Sequence, residues 1–128
     1  MGLLNSLLGN ASGISVEEAT KEYGHVLAKG EEIEVAYKLV RDMFIFTGKR
    51  LILVDIQGLT GKKIEIQSIP YKSIVRFAVE TAGHLDLDAE LKIWLSGMAQ
   101  PIEKRFNKNV NIYEVQATLA EAIVAADK

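Results

Sequence analysis

Residues 84–94 of this chain place three carboxylates at alternating positions and follow them with a lysine. Carboxylates at this density suit three roles: binding a divalent metal, general acid and base catalysis, or keeping one face of a strand in contact with water. The side chains concerned are Asp86, Asp88, Glu90 and Lys92, and Trp94 follows at the end of the series.

The spacing of these side chains decides between the three roles. On a strand all of them lie on one face, with successive members about 6.6 Å apart, so that they cannot share one small ion unless other side chains converge on them. The stretch also lacks the glycine and the final glutamate of a calcium-binding EF-hand loop. We therefore predict a polar strand face without a bound metal and without a catalytic carboxylate pair.

Trp94 indicates a further role for this polar face. Aromatic side chains are enriched where proteins meet, so a tryptophan on the polar side of a strand favours a protein interface. The alternative is that Trp94 packs beneath the N-terminal helix or the loop of residues 96–100. Both interpretations stay open at the level of the sequence.

The composition excludes several classes of function. The chain has 128 residues with 15 basic and 17 acidic side chains, and the resulting formal charge of −2 counts against nucleic-acid binding, which relies on a basic excess. The absence of cysteine removes thiolate chemistry and suits the cytoplasm. Residues 58–63 miss the Walker spacing and join two strands, and His25 and His84 stand alone. We expect no enzyme activity and no cofactor.

The elements that position these residues follow from periodicity and capping. Ser15 and Glu18 form a capping box that predicts a helix over 16–23. Seven runs with a period of two then follow, joined by short turns, and Asn111 begins an amphipathic C-terminal helix. In this helix the apolar stripe consists of Ile112, Val115, Leu119, Ala122, Ile123 and Ala126.

The strand runs also predict which faces are buried. In the first run Ala36 falls on the polar face, opposite Ile33, Val35, Tyr37 and Leu39. Residues 51–54 are apolar enough to be covered on both faces for part of their length. Ile64 and Ile66 alternate with polar residues in the fourth run, and Val75, Phe77 and Val79 share the apolar face of the fifth.

Three segments of the chain resemble the bacterial pleckstrin-homology-like (PH-like) domains. They are FIFTGKRLILVD at 44–55 with QGLTGKK at 57–63, IPYKSI at 69–74, and LDLDAELKIW at 85–94 with SG at 96–97. The resemblance implies a mainly β fold with helices, a PH-like barrel of seven antiparallel strands in two near-orthogonal sheets closed by a C-terminal helix. We expect one domain over 1–128, with short N-terminal helices in an extension over 1–28 and the barrel with its capping helix over 29–126.

The resemblance also implies a role. Domains of this family look like non-catalytic interaction modules that assemble into cyclic homo-oligomeric rings, and a polar surface near the junction of protomers contacts partner proteins. We expect a ring of this chain, a pentamer, and an unidentified protein partner. The candidate interaction surface comprises Asp86, Asp88, Glu90, Lys92 and Trp94.

The alternative function is that of a peripheral membrane module, a cytoplasmic domain that binds anionic lipid at the membrane surface. In an up-and-down meander, Arg41, Lys62 and Lys63 share one end and are the candidate contacts for anionic lipid. The other basic turns lie at the opposite end, and the short turn at Arg41 also carries Asp42, which argues against specific phosphoinositide binding. A leucine-rich stretch over 1–9 would help this alternative.

Overall fold

The computed structural model of the chain describes residues 14–39, 41–81 and 88–126. The chain forms two compact units, Met1–Ile69 and Pro70–Lys128. The first unit contains a helix and a four-stranded sheet, and the second contains a three-stranded sheet and the C-terminal helix. The predicted division into an extension over 1–28 and a barrel over 29–126 stays a prediction.

Helix α1 spans Val16–Tyr23, the range that the sequence predicts. Its start is determined locally, because the Ser15 hydroxyl accepts a hydrogen bond from the backbone N–H of Glu18 at 3.1 Å. The acidic residues Glu17 and Glu18 lie in the first turn, where the helix dipole favours negative charge. A 3-10 turn, Gly24–Val26, follows the helix. The leucine-rich stretch 1–9 lies outside the described residues.

The four-stranded sheet consists of β1 (Ile33–Lys38), β2 (Met43–Thr47), β3 (Arg50–Gln57) and β4 (Lys63–Pro70), in that spatial order. The pairs β1–β2 and β2–β3 are antiparallel. Helix α1 covers one face of this sheet. The core that it helps to form comprises Ala19, Tyr23, Ile33, Ala36, Met43, Ile45, Ile52 and Val54. The sequence prediction that residues 51–54 are covered on both faces is confirmed, since all four are buried.

A β-bulge in β1 changes the faces that simple alternation predicts. Ile33 pairs with Thr47 and Val35 with Phe46, so Glu34 is an extra residue without a counterpart on β2. Ile33 and Ala36 consequently join the same core beneath α1, although alternation places Ala36 on the polar face. That part of the prediction is wrong, because one inserted residue exchanges the two faces of a strand.

Strand β4 differs from its prediction. Ile64 and Ile66 alternate with polar residues, which predicts one buried face, yet Ile64 is 50% and Ile66 38% exposed. Ile69 is the one buried residue of this strand. The prediction of a half-buried strand is therefore wrong over most of β4, which is an outer strand in the order of the first sheet.

A partly buried ion pair connects the segment after α1 to the start of β3. Arg50 Nε lies 3.0 Å from Glu31 Oε2, and Arg50 Nη2 lies 2.9 Å from Glu31 Oε1. The Thr47 hydroxyl and the backbone N–H of Ala28 also donate to this carboxylate, at 2.6 Å and 2.9 Å. The hydrogen bonds from Arg50 are the main reason that the pKa of Glu31 falls to about 2. Arg50 further donates to the Val26 carbonyl at 2.8 Å, so its charge serves the fold.

The second unit contains β5 (Ile74–Glu80), β6 (Ala89–Leu95), β7 (Ile102–Phe106) and helix α2 (Ile112–Ala126). Its strands pair antiparallel in the order β5–β6–β7. The N-terminal part of the predicted sixth strand, residues 84–87, lies outside the described residues.

Strand β5 also contains a bulge. Ile74 pairs with Leu95 and Arg76 with Trp94, which leaves Val75 without a counterpart on β6. The sequence places Val75 on the apolar face with Phe77 and Val79, but Val75 is 65% exposed and Ile74 is buried in its stead. The prediction for Val75 is wrong because the bulge turns its side chain off the apolar face.

Helix α2 begins as predicted, with the Asn111 side chain accepting a hydrogen bond from the backbone N–H of Tyr113 at 3.0 Å. Ile112, Val115 and Leu119 are buried, as the stripe predicts, whereas the rest of the stripe is only partly covered. Thr118 is buried as well, and its hydroxyl donates to the Glu114 carbonyl at 2.9 Å. The helix packs against β5 and the 3-10 turn Tyr71–Ser73.

The architecture is mainly β, with two antiparallel sheets and a C-terminal helix. The expected closed barrel is not observed. Within the described ranges the strands pair into two sheets, one of four strands and one of three. Pro70 ends β4 and lacks a backbone N–H, and a 3-10 turn follows it, so β4 does not continue into a hairpin with β5.

Candidate functional site

Strand β6 has the two faces that its sequence predicts. Ala89, Leu91 and Ile93 are buried, whereas Glu90 and Lys92 on the opposite face are partly exposed. Trp94 shares that polar face and is also partly exposed, and Asp88 is exposed just before the strand. The fifth predicted residue, Asp86, lies outside the described residues. The alternation is a local property of the strand, which explains why the sequence suffices to predict it.

Trp94 has a neighbour that the sequence analysis did not identify. Arg76 lies directly opposite it on β5, and the guanidinium carbon is 3.9 Å from the centroid of the indole ring. This distance is typical of a cation–π contact. The Val75 bulge sets this register, so the pair depends on a long-range feature of the sheet.

Lys92 lies among carboxylates from all three strands of the second sheet. Its ammonium group is 2.6 Å from the Glu80 carboxylate of β5, and Glu103 of β7 lies opposite it in the register. The hydrogen bond to Glu80 is the first cause of a raised pKa of Lys92, and the Glu103 and Glu90 carboxylates act in the same direction. Glu90 in turn lies opposite Arg105 on β7.

These side chains lie on one face of the three-stranded sheet, because directly opposite residues in an antiparallel pair project to the same side. Three cations and four carboxylates are present, so the surface is nearly neutral and strongly patterned. We call it the charged face of the second sheet. It comprises Arg76, Glu80, Asp88, Glu90, Lys92, Trp94, Glu103 and Arg105.

Four residues of this face were not predicted from the sequence: Arg76, Glu80, Glu103 and Arg105. A signal for them exists, since each occupies the polar phase of a period-two strand. Which of them stand beside Trp94 and Lys92 depends on the register of β5 and β7, which only the pairing shows.

The candidate lipid contacts lie on the first unit. Arg41 is exposed, and its Nη2 donates to the carbonyl of Gly58 at 2.6 Å, which places the β1–β2 turn against the loop before β4. Lys62 and Lys63 are exposed on that loop and at the start of β4. The predicted proximity of the turn and the loop therefore agrees with the Arg41–Gly58 contact. Leu59 at the tip of the loop is 105% exposed, a feature that the sequence analysis did not single out.

No group of three or more histidine and acidic side chains in residues 14–39, 41–81 and 88–126 converges on a position that could hold an ion. Over the same ranges, every helix is too short or too polar to cross a bilayer.

Comparison with known proteins identifies relatives over nearly the whole chain. Residues 2–123 match the family model described as Bacterial PH domain. The uncharacterized protein YjqA of Bacillus subtilis (strain 168) is 59% identical over 121 residues, which cover 94% of this chain and 97% of the relative. The uncharacterized protein YozO of the same organism is 38% identical over 109 residues, covering 84% and 93%.

Solved structures agree with this match. The pleckstrin homology domain from Shewanella amazonensis SB2B is 48% identical with a TM-score of 0.80, and the similarity covers 95% of this chain and 98% of that one. A DUF1696 family protein with a pleckstrin-homology domain from Shewanella loihica PV-4 is 45% identical with a TM-score of 0.76, covering 88% and 96%.

Proposed function

This chain belongs to the bacterial PH domain family, and we propose that it is a non-catalytic interaction module that forms a homo-oligomeric ring and binds a protein partner. The observation that carries this proposal is the charged face of the second sheet. A strand face that needs only solubility requires scattered charges. Here cations and carboxylates from three strands are grouped beside a tryptophan, with Lys92 opposite Glu103 and Glu90 opposite Arg105. Such a pattern gives orientation and specificity to a protein contact.

The Arg76–Trp94 pair supports this role energetically. Tryptophan and arginine are the residue types that most often dominate the binding energy of an interface. Stacking the guanidinium over the indole restrains both side chains before a partner arrives, which lowers the entropy lost on binding. The surrounding charges of Glu80 and Lys92 would form the polar rim.

Strand β4 supports the assembly part of the proposal. It is an outer strand of the first sheet, and its isoleucines at 64 and 66 are exposed. An outer strand with exposed apolar side chains invites pairing with another chain. If β4 of one protomer meets a different surface of the next, the contact is head-to-tail and must either close into a ring or continue as a filament. We propose closure, with five protomers, and the cytoplasm as the location.

Light scattering coupled to gel filtration tests the assembly. We expect a mass of about 70 kDa, five times the 14.1 kDa of one chain. Ile64→Lys should lower this mass by placing a charge in the β4 contact, whereas Lys108→Glu, in the exposed turn before α2, is the matched control that leaves it unchanged. A wild-type mass near 14 kDa at micromolar concentration would refute the ring.

Partner binding has a separate test. The intact wild-type protein and the Trp94→Ala variant are used as bait under identical conditions, and captured proteins are compared. A partner of the charged face should be retained by the wild type and lost with the variant. Equal capture by both baits would show that Trp94 does not contribute to recognition.

A second candidate function is binding to the surface of an anionic membrane, and the observation that favours it is Leu59. This fully exposed leucine sits close to Lys62 and Lys63, and an apolar tip with adjacent lysines is what interfacial binding uses. Co-sedimentation with anionic and neutral vesicles tests it. Salt-sensitive binding to anionic vesicles that disappears with Leu59→Ser, or after deletion of residues 1–9, would support this function. Absence of binding would exclude it.

A further inference from the structure

A cleft of about 450 Å³ opens in the first unit between α1, the β1–β2 turn and the loop before β4. This volume lies within the range of roughly 300–1,000 Å³ that is typical of sites for small organic ligands. Five apolar side chains line it: Ile14, Tyr23, Met43, Ile56 and Leu59. Tyr23 and Met43 are buried in the core beneath α1, so this lining is part of the folded framework.

Opposite charges also line the cleft, and they come from different elements. Glu18 and Glu22 lie one helical turn apart on α1, so their carboxylates share one side of the helix. Lys38 and Arg41 come from the end of β1 and the turn that follows it. In the part of the chain that the structure describes, no salt bridge within 4.0 Å joins these carboxylates to these cations.

One of these charged groups is held in place by a hydrogen bond. Arg41 Nη2 donates to the Gly58 carbonyl at 2.6 Å. Burial and, after it, the charge of the adjacent Glu22 carboxylate raise the pKa of Tyr23. The cleft therefore presents two carboxylates of α1 and a restrained guanidinium to the same volume.

The loop before β4 forms one wall of the cleft. Leu59 lines the cleft and is nevertheless fully exposed, so its side chain has no apolar packing in this conformation. Gly58 and Gly61 flank it with φ of 83° and 69°, a region that only glycine adopts readily. Rotation at these glycines would let Leu59 fold over a bound apolar group and lose its contact with water.

We propose that this cleft binds a short zwitterionic peptide with aliphatic side chains. Its ammonium group pairs with Glu18 and Glu22, its carboxylate pairs with Lys38 and Arg41, and its side chains contact the apolar lining under Leu59. The mixed charge favours such a ligand over an anionic lipid headgroup, because the α1 carboxylates, with Glu17 beside them, would repel an anionic surface. None of the residues that line this cleft belongs to the charged face of the second sheet.

Calorimetric titration of the whole chain with tri-leucine tests the inference without any mutation. N-acetyl-tri-leucine lacks the ammonium group, and tri-leucine amide lacks the carboxylate. Each capped peptide should bind at least about tenfold more weakly than tri-leucine, since each loses a charge-assisted hydrogen bond. Equal affinity for all three peptides would overturn the proposal, as would no heat of binding with tri-leucine in the millimolar range.

Variants then assign the two charged ends. Glu22→Gln should weaken tri-leucine binding about tenfold and leave the affinity for N-acetyl-tri-leucine unchanged, because the acetylated peptide has no ammonium group to lose. The matched control is Glu17→Gln, an exposed acid on the same helix that does not line the cleft, and it should bind all peptides like the wild type. A Glu17 variant with the larger effect would contradict the assignment.

A variant that blocks the cleft provides a further test of the proposal. Thr60 is exposed on the loop and lines the opening, so Thr60→Trp should fill it without disturbing the core, and tri-leucine binding should be lost while the thermal midpoint stays unchanged. Phosphatidylglycerol vesicles are titrated in parallel. Competition between these vesicles and tri-leucine, with vesicle binding lost in Thr60→Trp, would identify the cleft as a lipid site and overturn the peptide proposal.

Discussion

The guanidinium carbon of Arg76 lies 3.9 Å from the centre of the Trp94 ring, across the β5–β6 pair. The contact joins two residues 18 positions apart in the sequence, and it exists because Val75 is bulged out of the ladder. A strand without this bulge would place a different residue opposite Trp94. The proposed interaction surface therefore depends on one extra residue in its edge strand.

Arg76→Ala should increase the quenching of Trp94 fluorescence by acrylamide, because the arginine covers part of the ring. Trp94 is the only tryptophan of the chain, so the signal has one source. Arg105→Ala is the control, since Arg105 lies opposite Glu90 and not opposite Trp94. Equal quenching in both variants would show that Arg76 does not cover the indole in solution.

The double variant Lys92→Glu with Trp94→Ala should weaken assembly or partner binding. It reverses the central charge of the face, so that Glu80 and Glu103 meet a carboxylate, and it removes the aromatic contact. Light scattering reports assembly, and the bait comparison reports partner binding. The outcome that contradicts the expectation is a protein with wild-type mass and wild-type capture.

Glu31→Gln should lower the free energy of unfolding by about 3 kcal/mol, because it leaves the charge of the partly buried Arg50 without its counterion. Glu32→Gln is the neighbouring control on an exposed side chain, for which we expect a change within about 0.5 kcal/mol. Denaturation in urea measures both. Similar values for the two variants would mean that the ion pair contributes little.

The same carboxylate predicts an acid-dependent loss of stability. The pKa of Glu31 is about 2 in the folded protein and near 4.5 in the unfolded chain, so the folded state favours the ionised form. Its stabilising contribution is fully present above about pH 4.5 and is lost as the pH falls towards 2, because the unfolded chain then binds the proton more readily. The free energy of unfolding, measured against pH, should fall less steeply in this window for Glu31→Gln than for the wild type. Parallel curves would contradict the assignment.

Leu119→Ala should cost about 2–5 kcal/mol of stability, because the side chain is fully buried on α2 and its truncation leaves a cavity. Val124→Ala on the same helix is the matched control, since this valine is largely exposed. Thermal or chemical unfolding distinguishes the two. A Leu119→Ala protein with the wild-type midpoint would show that α2 does not pack as the structure has it.

Much of the candidate site could be predicted from the sequence, because its pattern is local. Glu90 and Lys92 project from one face of β6 for the same reason that Leu91 and Ile93 are buried: successive residues of a strand point to opposite sides. Their neighbours could not be predicted in the same way. That Lys92 meets Glu80 depends on how β5 is aligned with β6, and two residues 12 positions apart carry no local signal for that alignment.

The sequence by itself determined where α1 and α2 begin and which residues of β6 face water. Ser15 and Asn111 cap helices through atoms two or three residues away, so the signal for each helix start lies within the local sequence. Only the tertiary structure decided the bulges at Glu34 and Val75 and the exposure of Ile64 on β4. A bulge depends on what the partner strand offers, and the exposure of a strand depends on what covers it. Both are set by residues far away in the sequence, whose positions the local pattern does not contain.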